Sequence, residues 1–276
     1  MIGQHNLQSQ IEQLVKDGTF PRFSILVGPR GSGKKTLARE IAKKIPNALV
    51  FDIGLSVEDV RVSIENAYKM INTVVRIIPD ADTMSNAAKN ALLKVTEEPP
   101  NNAYWIMTLE DENNTLETIR SRGTVFHMDR YTPDEIAEYY GDNYFNEDDA
   151  CWGSRESIIK ELCETPGDVH ILSKDVLLFY DYVQLVVDNI AEVSLANAFK
   201  IPSKVALKED VEAYDLRLFW KAFMNVCRDR SYDQNTKEYC ECIVVTSKYL
   251  QRLKVKGINK QMLIDNWVLE IRNLWQ

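Results

Sequence analysis

Ser24-Ile25-Leu26-Val27 runs directly into Gly28-Pro29-Arg30-Gly31-Ser32-Gly33-Lys34, with Lys35 and Thr36 next. A short apolar run bounded by turn residues reads as a buried strand. The Gly-x-x-x-x-Gly-Lys spacing then opens onto a helical pattern from Lys34 to Ile45, the context in which such a loop binds phosphate. Glycines let the backbone curl, and consecutive N–H groups turn inward. The helix N-terminus adds partial positive charge, and the lysine reaches the outer phosphates. The candidate nucleotide-binding residues are therefore Gly28, Pro29, Arg30, Gly31, Ser32, Gly33, Lys34, Lys35 and Thr36. The bland alternative is a glycine-rich turn that binds nothing.

Outward from the loop, apolar runs and helical patterns alternate. Strands are expected at Ala48–Ile53, Val74–Ile78, Tyr104–Met107 and Val125–His127, and helices at Val57–Met70 and Ala87–Glu97, the last stopped by Pro99-Pro100. Apolar strands separated by helices predict a parallel five-stranded sheet covered on both faces. Thr132-Pro133-Asp134-Glu135 is a helix start, with Thr132 as cap, Pro133 at the first helical position and Glu135 completing a capping box. Beyond it the patterns are helical, apart from a weak strand signal at Ile243–Val245 and a turn expected at Pro166-Gly167-Asp168. The expected order is an α/β domain over 1–130, a helical lid over 131–175 and an all-α domain over 176–276.

Composition narrows the classes. The chain has 276 residues, of which 45% are apolar, enough for more than one core. There is no apolar run long enough to span a membrane, and the polar start Met1–Leu14 does not read as a signal peptide. The five cysteines, Cys151, Cys163, Cys227, Cys240 and Cys242, contain no Cys-x-x-Cys pair. They read as reduced thiols in a cytoplasmic protein rather than a disulfide framework or zinc site. The net charge of -8 repels DNA overall, so any DNA contact needs a local basic face. A small-molecule P-loop kinase is a third class, but no arginine-rich acceptor lid supports it.

Two features weaken the phosphate site for metal chemistry. The position after Lys34 normally carries a hydroxyl that binds Mg²⁺; here it is Lys35, which either adds charge toward a phosphate or points to solvent. Thr36 follows one residue late, and one residue turns a helical side chain by about 100°. The strand Arg76-Ile77-Ile78 ends in Pro79-Asp80-Ala81-Asp82, with Pro79 where P-loop ATPases place a metal-binding carboxylate and Asp80 where a glutamate orients water. Metal-dependent phosphoryl transfer is therefore expected to be crippled. The opposing reading is that Asp80 and Asp82 rebuild the site in shifted register.

Residues Asn90 to Pro100, NALLKVTEEPP, closely resemble a signature of bacterial clamp-loader subunits and their phage and eukaryotic relatives, proteins of the AAA+ class. Other motifs keep the family order. Ile2-Gly3-Gln4 resembles its opening, the Gly-x-Arg-Gly-x-Gly-Lys loop its phosphate loop, and Ser121-Arg122-Gly123 its Ser-Arg-Cys motif, with Gly123 in place of cysteine. The motifs cover residues 1 to about 175; the rest matches by helical pattern alone.

The resemblance implies roles. Arg122 would be an arginine finger acting in a neighbouring subunit's ATP site, a role worth orders of magnitude in rate. Ser121 would hold its backbone. Thr108 would be the first sensor, and Asp80 would stand in a degenerate second motif. The family's second-sensor arginine has no match in Pro166–Ile171, where His170 is the nearest basic residue. The family's zinc cysteines are absent, which suits a divergent or phage-encoded member.

Keeping the loop and finger while losing the metal ligands resembles the delta-prime type of DNA polymerase III clamp-loader subunit. The implied cofactor is ATP or ADP, with Mg²⁺ in doubt and no protein metal site. The implied partners are other clamp-loader subunits, a sliding clamp and primer–template DNA, with no membrane. Lys43, Lys44, Lys89 and Lys94 are candidate phosphate contacts, although each taken singly reads better as part of a solvated helix face, and residues 176–276 would form an oligomeric collar. Phe219, Trp220, Phe223 and Trp267 read equally as interface anchors or core. An active clamp-loader ATPase and a nucleotide-free structural subunit remain the alternatives.

Overall fold

The computed structural model describes residues 3–144, 152–172, 176–194, 198–199, 205–206, 214–234, 236–253, 255 and 257–275. Ile2 and Cys151, singled out above, lie outside the described residues. The chain separates into two compact units, one of residues 1–135 with 165–167, the other of 136–164 with 168–276.

In the first unit the elements run α1 (His5–Lys16), β1 (Phe23–Val27), α2 (Lys34–Lys44), β2 (Leu49–Asp52), α3 (Val57–Lys69), β3 (Val74–Ile78), α4 (Asn86–Ala91), α5 (Leu93–Glu97), β4 (Ala103–Leu109), α6 (Glu117–Arg120) and β5 (Thr124–His127). The five strands form one sheet in the order β2-β3-β4-β1-β5, every pair parallel. Strands β1 and β3 are buried along their whole length, which is why they read as unbroken apolar runs. The two edge strands are more open, with Leu49, Val50 and Phe51 exposed on β2 and Thr124 and His127 exposed on β5.

Alternation along the strands divides the core in two. Leu26, Val75, Ile77, Ile106 and Phe126 face α1 and α2 through Leu7, Ile11, Leu37, Ala38 and Ile41. Ile25, Val74, Ile78, Trp105 and Met107 face the other way, against Val60, Ile64, Ala88 and Val95. Each such aliphatic side chain contributes about 1.5–3 kcal/mol on burial. The register pairs Val27 with Leu109 and Ile78 with Met107, so β1, β3 and β4 end on the same side of the sheet. The segments that follow them, at Gly28, Pro79 and Glu110, share one rim, where open parallel sheets bind ligands.

The expected Ala87–Glu97 helix is two short ones, meeting at Leu92. The capping box forms as expected. The Glu135 N–H donates to Thr132 Oγ1 at 3.2 Å, and the Thr132 N–H to Glu135 Oε2 at 2.8 Å. It starts α7 (Pro133–Tyr144), followed by α8 (Trp152–Leu162) and α9 (Pro166–Leu172). The turn expected at Pro166-Gly167-Asp168 is instead the first turn of α9, with Pro166 in the position where its missing N–H costs nothing.

The second unit is built on α10 (Val176–Asn189), α11 (Leu216–Gln234), α12 (Lys237–Arg252) and α13 (Lys260–Asn273), with the short parallel pair β6 (Val205–Ala206) and β7 (Tyr214–Asp215). The strand signal at Ile243–Val245 is overturned. Buried Cys242, Val245, Thr246 and Tyr249 recur at helical spacing along α12, and packing overrides the β-branched run. Phe219, Trp220, Phe223 and Trp267 are core. Each is at most 1% exposed, and the Phe223 and Trp267 rings meet edge-on with centroids 4.9 Å apart. The Trp267 indole donates to Thr246 Oγ1 at 3.0 Å, so its one polar atom is satisfied inside the unit.

Candidate functional site

The phosphate loop takes the shape its glycines permit. Gly31 and Gly33 have φ of 79° and 88°, a region that L side chains enter at a cost. Gly33 then caps α2, whose first N–H groups lie at the end of the loop. The loop is held from behind. The Tyr131 hydroxyl donates to the Ser32 carbonyl at 2.7 Å, and Ser32 Oγ contacts Met128 Sδ at 3.4 Å. Segment Thr165–Gly167 closes the other side. The Gly167 N–H donates to the Gly31 carbonyl at 3.0 Å, and a Cβ on Gly167 would meet Gly31 Cα at 2.5 Å. Nothing in the sequence pattern signalled this contact.

Lys34 is 6% exposed, and its Nζ donates to the carbonyls of Gly28 and Pro29, both at 2.8 Å. Burial lowers its pKa, while the charges of Glu110, Asp80 and Asp82 pull it back up, Glu110 most strongly. The loop backbone, the α2 N-terminus and this lysine fit an anionic phosphate chain.

They do not fit a Mg²⁺ ion. Lys35 turns toward Asp52, 3.9 Å away, beside an Arg39–Asp52 ion pair at 2.6 Å. Thr36 is exposed. Asp80 is also exposed, in left-handed backbone with φ of 49°, and its N–H donates to the hydroxyl of buried Thr108 at 2.9 Å. Asp82 is nine-tenths buried, and its carboxylate accepts from the backbone N–H of Glu110 at 2.8 Å and from Asn114 Nδ2 at 3.0 Å. Asp82 thus fixes the loop after β4. No group of three or more metal-ligating side chains occurs among the described residues.

The same loop captures a lysine assigned elsewhere by the sequence. Lys89 is 6% exposed and donates to the Asn114 carbonyl, so it is not on a surface open to DNA. Of the other candidates, Lys44 pairs with Glu12, Lys94 lies 5.3 Å from the Tyr68 ring centroid, and Lys43 is exposed.

Arg122 follows α6 and is half-exposed. Its guanidinium is held by Glu97 Oε1 at 3.0 Å and by the Thr118 carbonyl at 2.8 Å. Ser121 Oγ donates to the same carbonyl at 3.3 Å. Gly123 stands where a Cβ would lie 2.9 Å from Ile25 Cδ1 and 3.0 Å from Phe23 Cδ1, so those side chains fill the space a larger residue would need. Gln4 clasps the chain after β5 from both ends of its amide. Nε2 donates to the Asp129 carbonyl at 2.7 Å, and the Asp129 N–H donates to Oε1 at 2.8 Å. His170 contacts the Tyr144 hydroxyl at 2.8 Å, a partner that the sequence did not signal.

A parallel sheet in this strand order, with a phosphate loop after β1 and helices behind it, defines the AAA+ class of P-loop modules. Solved structures agree on the fold. A gamma subunit-related protein of DNA polymerase III from Thermotoga maritima superposes with a TM-score of 0.50 at 15% identity, over 97% of this chain and 100% of that one. A point variant of Thermotoga maritima RuvB gives 0.51 at 20% identity, over 78% and 87%.

Sequence relatives are more specific. Residues 56–132 match the family model described as DNA polymerase III, delta subunit. The chain is 27% identical to the gamma subunit of DNA polymerase III from Buchnera aphidicola subsp. Schizaphis graminum, over 54% of this chain and 51% of that protein. It is 25% identical to the tau subunit from Bacillus subtilis, over 49% and 30%. Replication factor C subunit 4 of Oryza sativa subsp. japonica matches at 24% over 49% and 44%. The chain thus spans about half or less of these relatives' lengths. Over about half of its length the chain is thus similar to gamma and tau subunits of DNA polymerase III and to a replication factor C subunit. Among the described residues, no helix is long and apolar enough to cross a membrane.

Proposed function

We propose that this chain is a clamp-loader subunit of the delta-prime type. It holds ATP or ADP in the Gly28–Lys34 loop, turns it over slowly or not at all, and donates Arg122 to the ATP site of a neighbouring subunit. In this reading Arg122 stabilises the charge that develops on the transferring phosphate of the neighbour, while residues 176–276 join a collar and the assembly places a sliding clamp on primed DNA. One observation carries it. The arginine is presented half-exposed on a braced turn, whereas beside the chain's own loop Lys35 stands in place of a hydroxyl and turns to Asp52, and Asp82 is taken up by the loop after β4.

A second reading, an active ATPase with its metal held by Asp80 and Asp82, has the gamma and tau relatives in its favour. The bonds from Asp82 to Glu110 and Asn114 count against it.

The test is ATP turnover with Mg²⁺ and primed DNA, by the chain alone and mixed with the motor subunits of its own source. The expected result is negligible turnover alone and stimulation of the motor subunits that falls by about 10³-fold in Arg122→Ala. Robust turnover by the chain alone would overturn the proposal.

A further inference from the structure

We propose that Glu110 is a specificity-determining residue of the phosphate loop, disfavouring a nucleoside triphosphate relative to a diphosphate. The inference rests on the reading that the loop holds a nucleotide. Its geometry comes from the sheet. Strands β1 and β4 are neighbours, Val27 opposes Leu109, and the Gly28 N–H donates to the Leu109 carbonyl at 3.1 Å. The first residue of the loop and the residue after Leu109 therefore leave the sheet side by side. The backbone of Glu110 is fixed there, because its N–H donates to Asp82 Oδ2 at 2.8 Å.

The side chain of Glu110 is exposed, and its charge is the strongest of the three carboxylates acting on the Lys34 ammonium. That ammonium already donates to two loop carbonyls. In a loop of this type the lysine meets the outermost phosphates. The terminal phosphate of a triphosphate would thus enter the region where the Glu110 carboxylate lies. Two like charges about 6 Å apart near a protein surface repel strongly enough to change a binding constant tenfold or more. A diphosphate ends one phosphate earlier and meets less of this field.

The experiment is calorimetric titration of the full chain with ATP and with ADP, without divalent cation, for the wild type, Glu110→Gln and Glu112→Gln. Glu112 is the charge-matched control, a nearby carboxylate that faces His127 at 3.8 Å. Thermal unfolding of each variant checks that the fold is kept. The expected result is that Glu110→Gln binds ATP about tenfold tighter or more and ADP less than about threefold tighter, with the gap narrowing at high salt and Glu112→Gln unchanged. Equal shifts for both nucleotides, or none, with wild-type binding intact, would overturn the role of Glu110 alone. A folded wild type and folded variants that all bind neither nucleotide would overturn the nucleotide-binding reading and this inference with it.

Discussion

The Arg122 guanidinium lies 3.0 Å from the Glu97 carboxylate, and that ion pair joins Ser121-Arg122-Gly123 to the Asn90–Pro100 signature. The two motifs are separated by β4 and the loop after it, yet they meet at one surface. Glu97 closes α5 just before Pro99-Pro100 ends the helical run, and Arg122 follows α6 and reaches back to Thr118. In the finger reading, Glu97 aims a side chain that acts outside this subunit.

The first prediction follows from that geometry. Glu97→Gln keeps the size of the side chain and loses its charge. The pair is partly exposed, so the variant's stability is expected to stay within about 1 kcal/mol of the wild type. Stimulation of motor-subunit ATP turnover is expected to fall about tenfold, equivalent to about 1.4 kcal/mol in the barrier. Stimulation at the wild-type level, measured at saturating subunit, would show that Arg122 is aimed without Glu97.

The fold was legible where local physics decides it. Parallel strands buried on both faces are short apolar runs, and β3 matches its expected bounds residue for residue. Thr132 and Glu135 announced α7 because a capping box is a contact between residues three apart. The polar half of the site was harder to read. Asp82 stood as a metal ligand only in the opposing reading, and Lys89 read as a solvated lysine or a DNA contact; both instead hold Asn114, 32 and 25 residues away. No periodicity encodes such a bond; it depends on where the loop after β4 lands. Glu110 went unremarked for the same reason, since its place beside Gly28 follows from strand order. At Ile243–Val245 the local signal was weak and pointed the wrong way, because burial at Cys242, Val245, Thr246 and Tyr249 favours a helix.

The second prediction concerns the seat of the phosphate loop. Gly31 and Gly167 touch backbone to backbone, and neither atom in the contact is the end of a flexible side chain. Gly167→Ala would force the two segments apart. A loss of about 1–3 kcal/mol is expected from overpacking, together with weaker ATP and ADP binding as the loop shifts. Gly153→Ala, at a helical position where an added Cβ meets nothing within 4 Å, is the control and is expected to leave binding unchanged. Thermal unfolding and nucleotide titration of both variants measure the difference. An undisturbed Gly167→Ala would mean that the loop does not depend on this contact.

The third prediction concerns Arg76, a buried cation in the middle of the sheet. It is 4% exposed on β3 and lies between the Phe51 and Trp105 rings, with centroids 5.6 Å and 5.5 Å from its guanidinium carbon. Nη1 donates to Ser63 Oγ at 2.6 Å, Nη2 contacts Met70 Sδ at 3.7 Å, and Nε has no partner among the described residues. No carboxylate there forms an ion pair with it, and burial lowers its pKa. A charge in that position costs desolvation that two aromatic faces and one hydroxyl only partly offset. Arg76→Met keeps the unbranched stem and removes the charge, and it is expected to leave stability within about 1 kcal/mol of the wild type or to raise it. Ser63→Ala keeps the cation and removes its oxygen acceptor, and is expected to cost about 1–3 kcal/mol. Denaturant unfolding of the two variants decides the matter. If Arg76→Met proved the more damaging of the two, the cation would be stabilising the sheet through its ring contacts, and the Ser63 hydroxyl would be a minor partner.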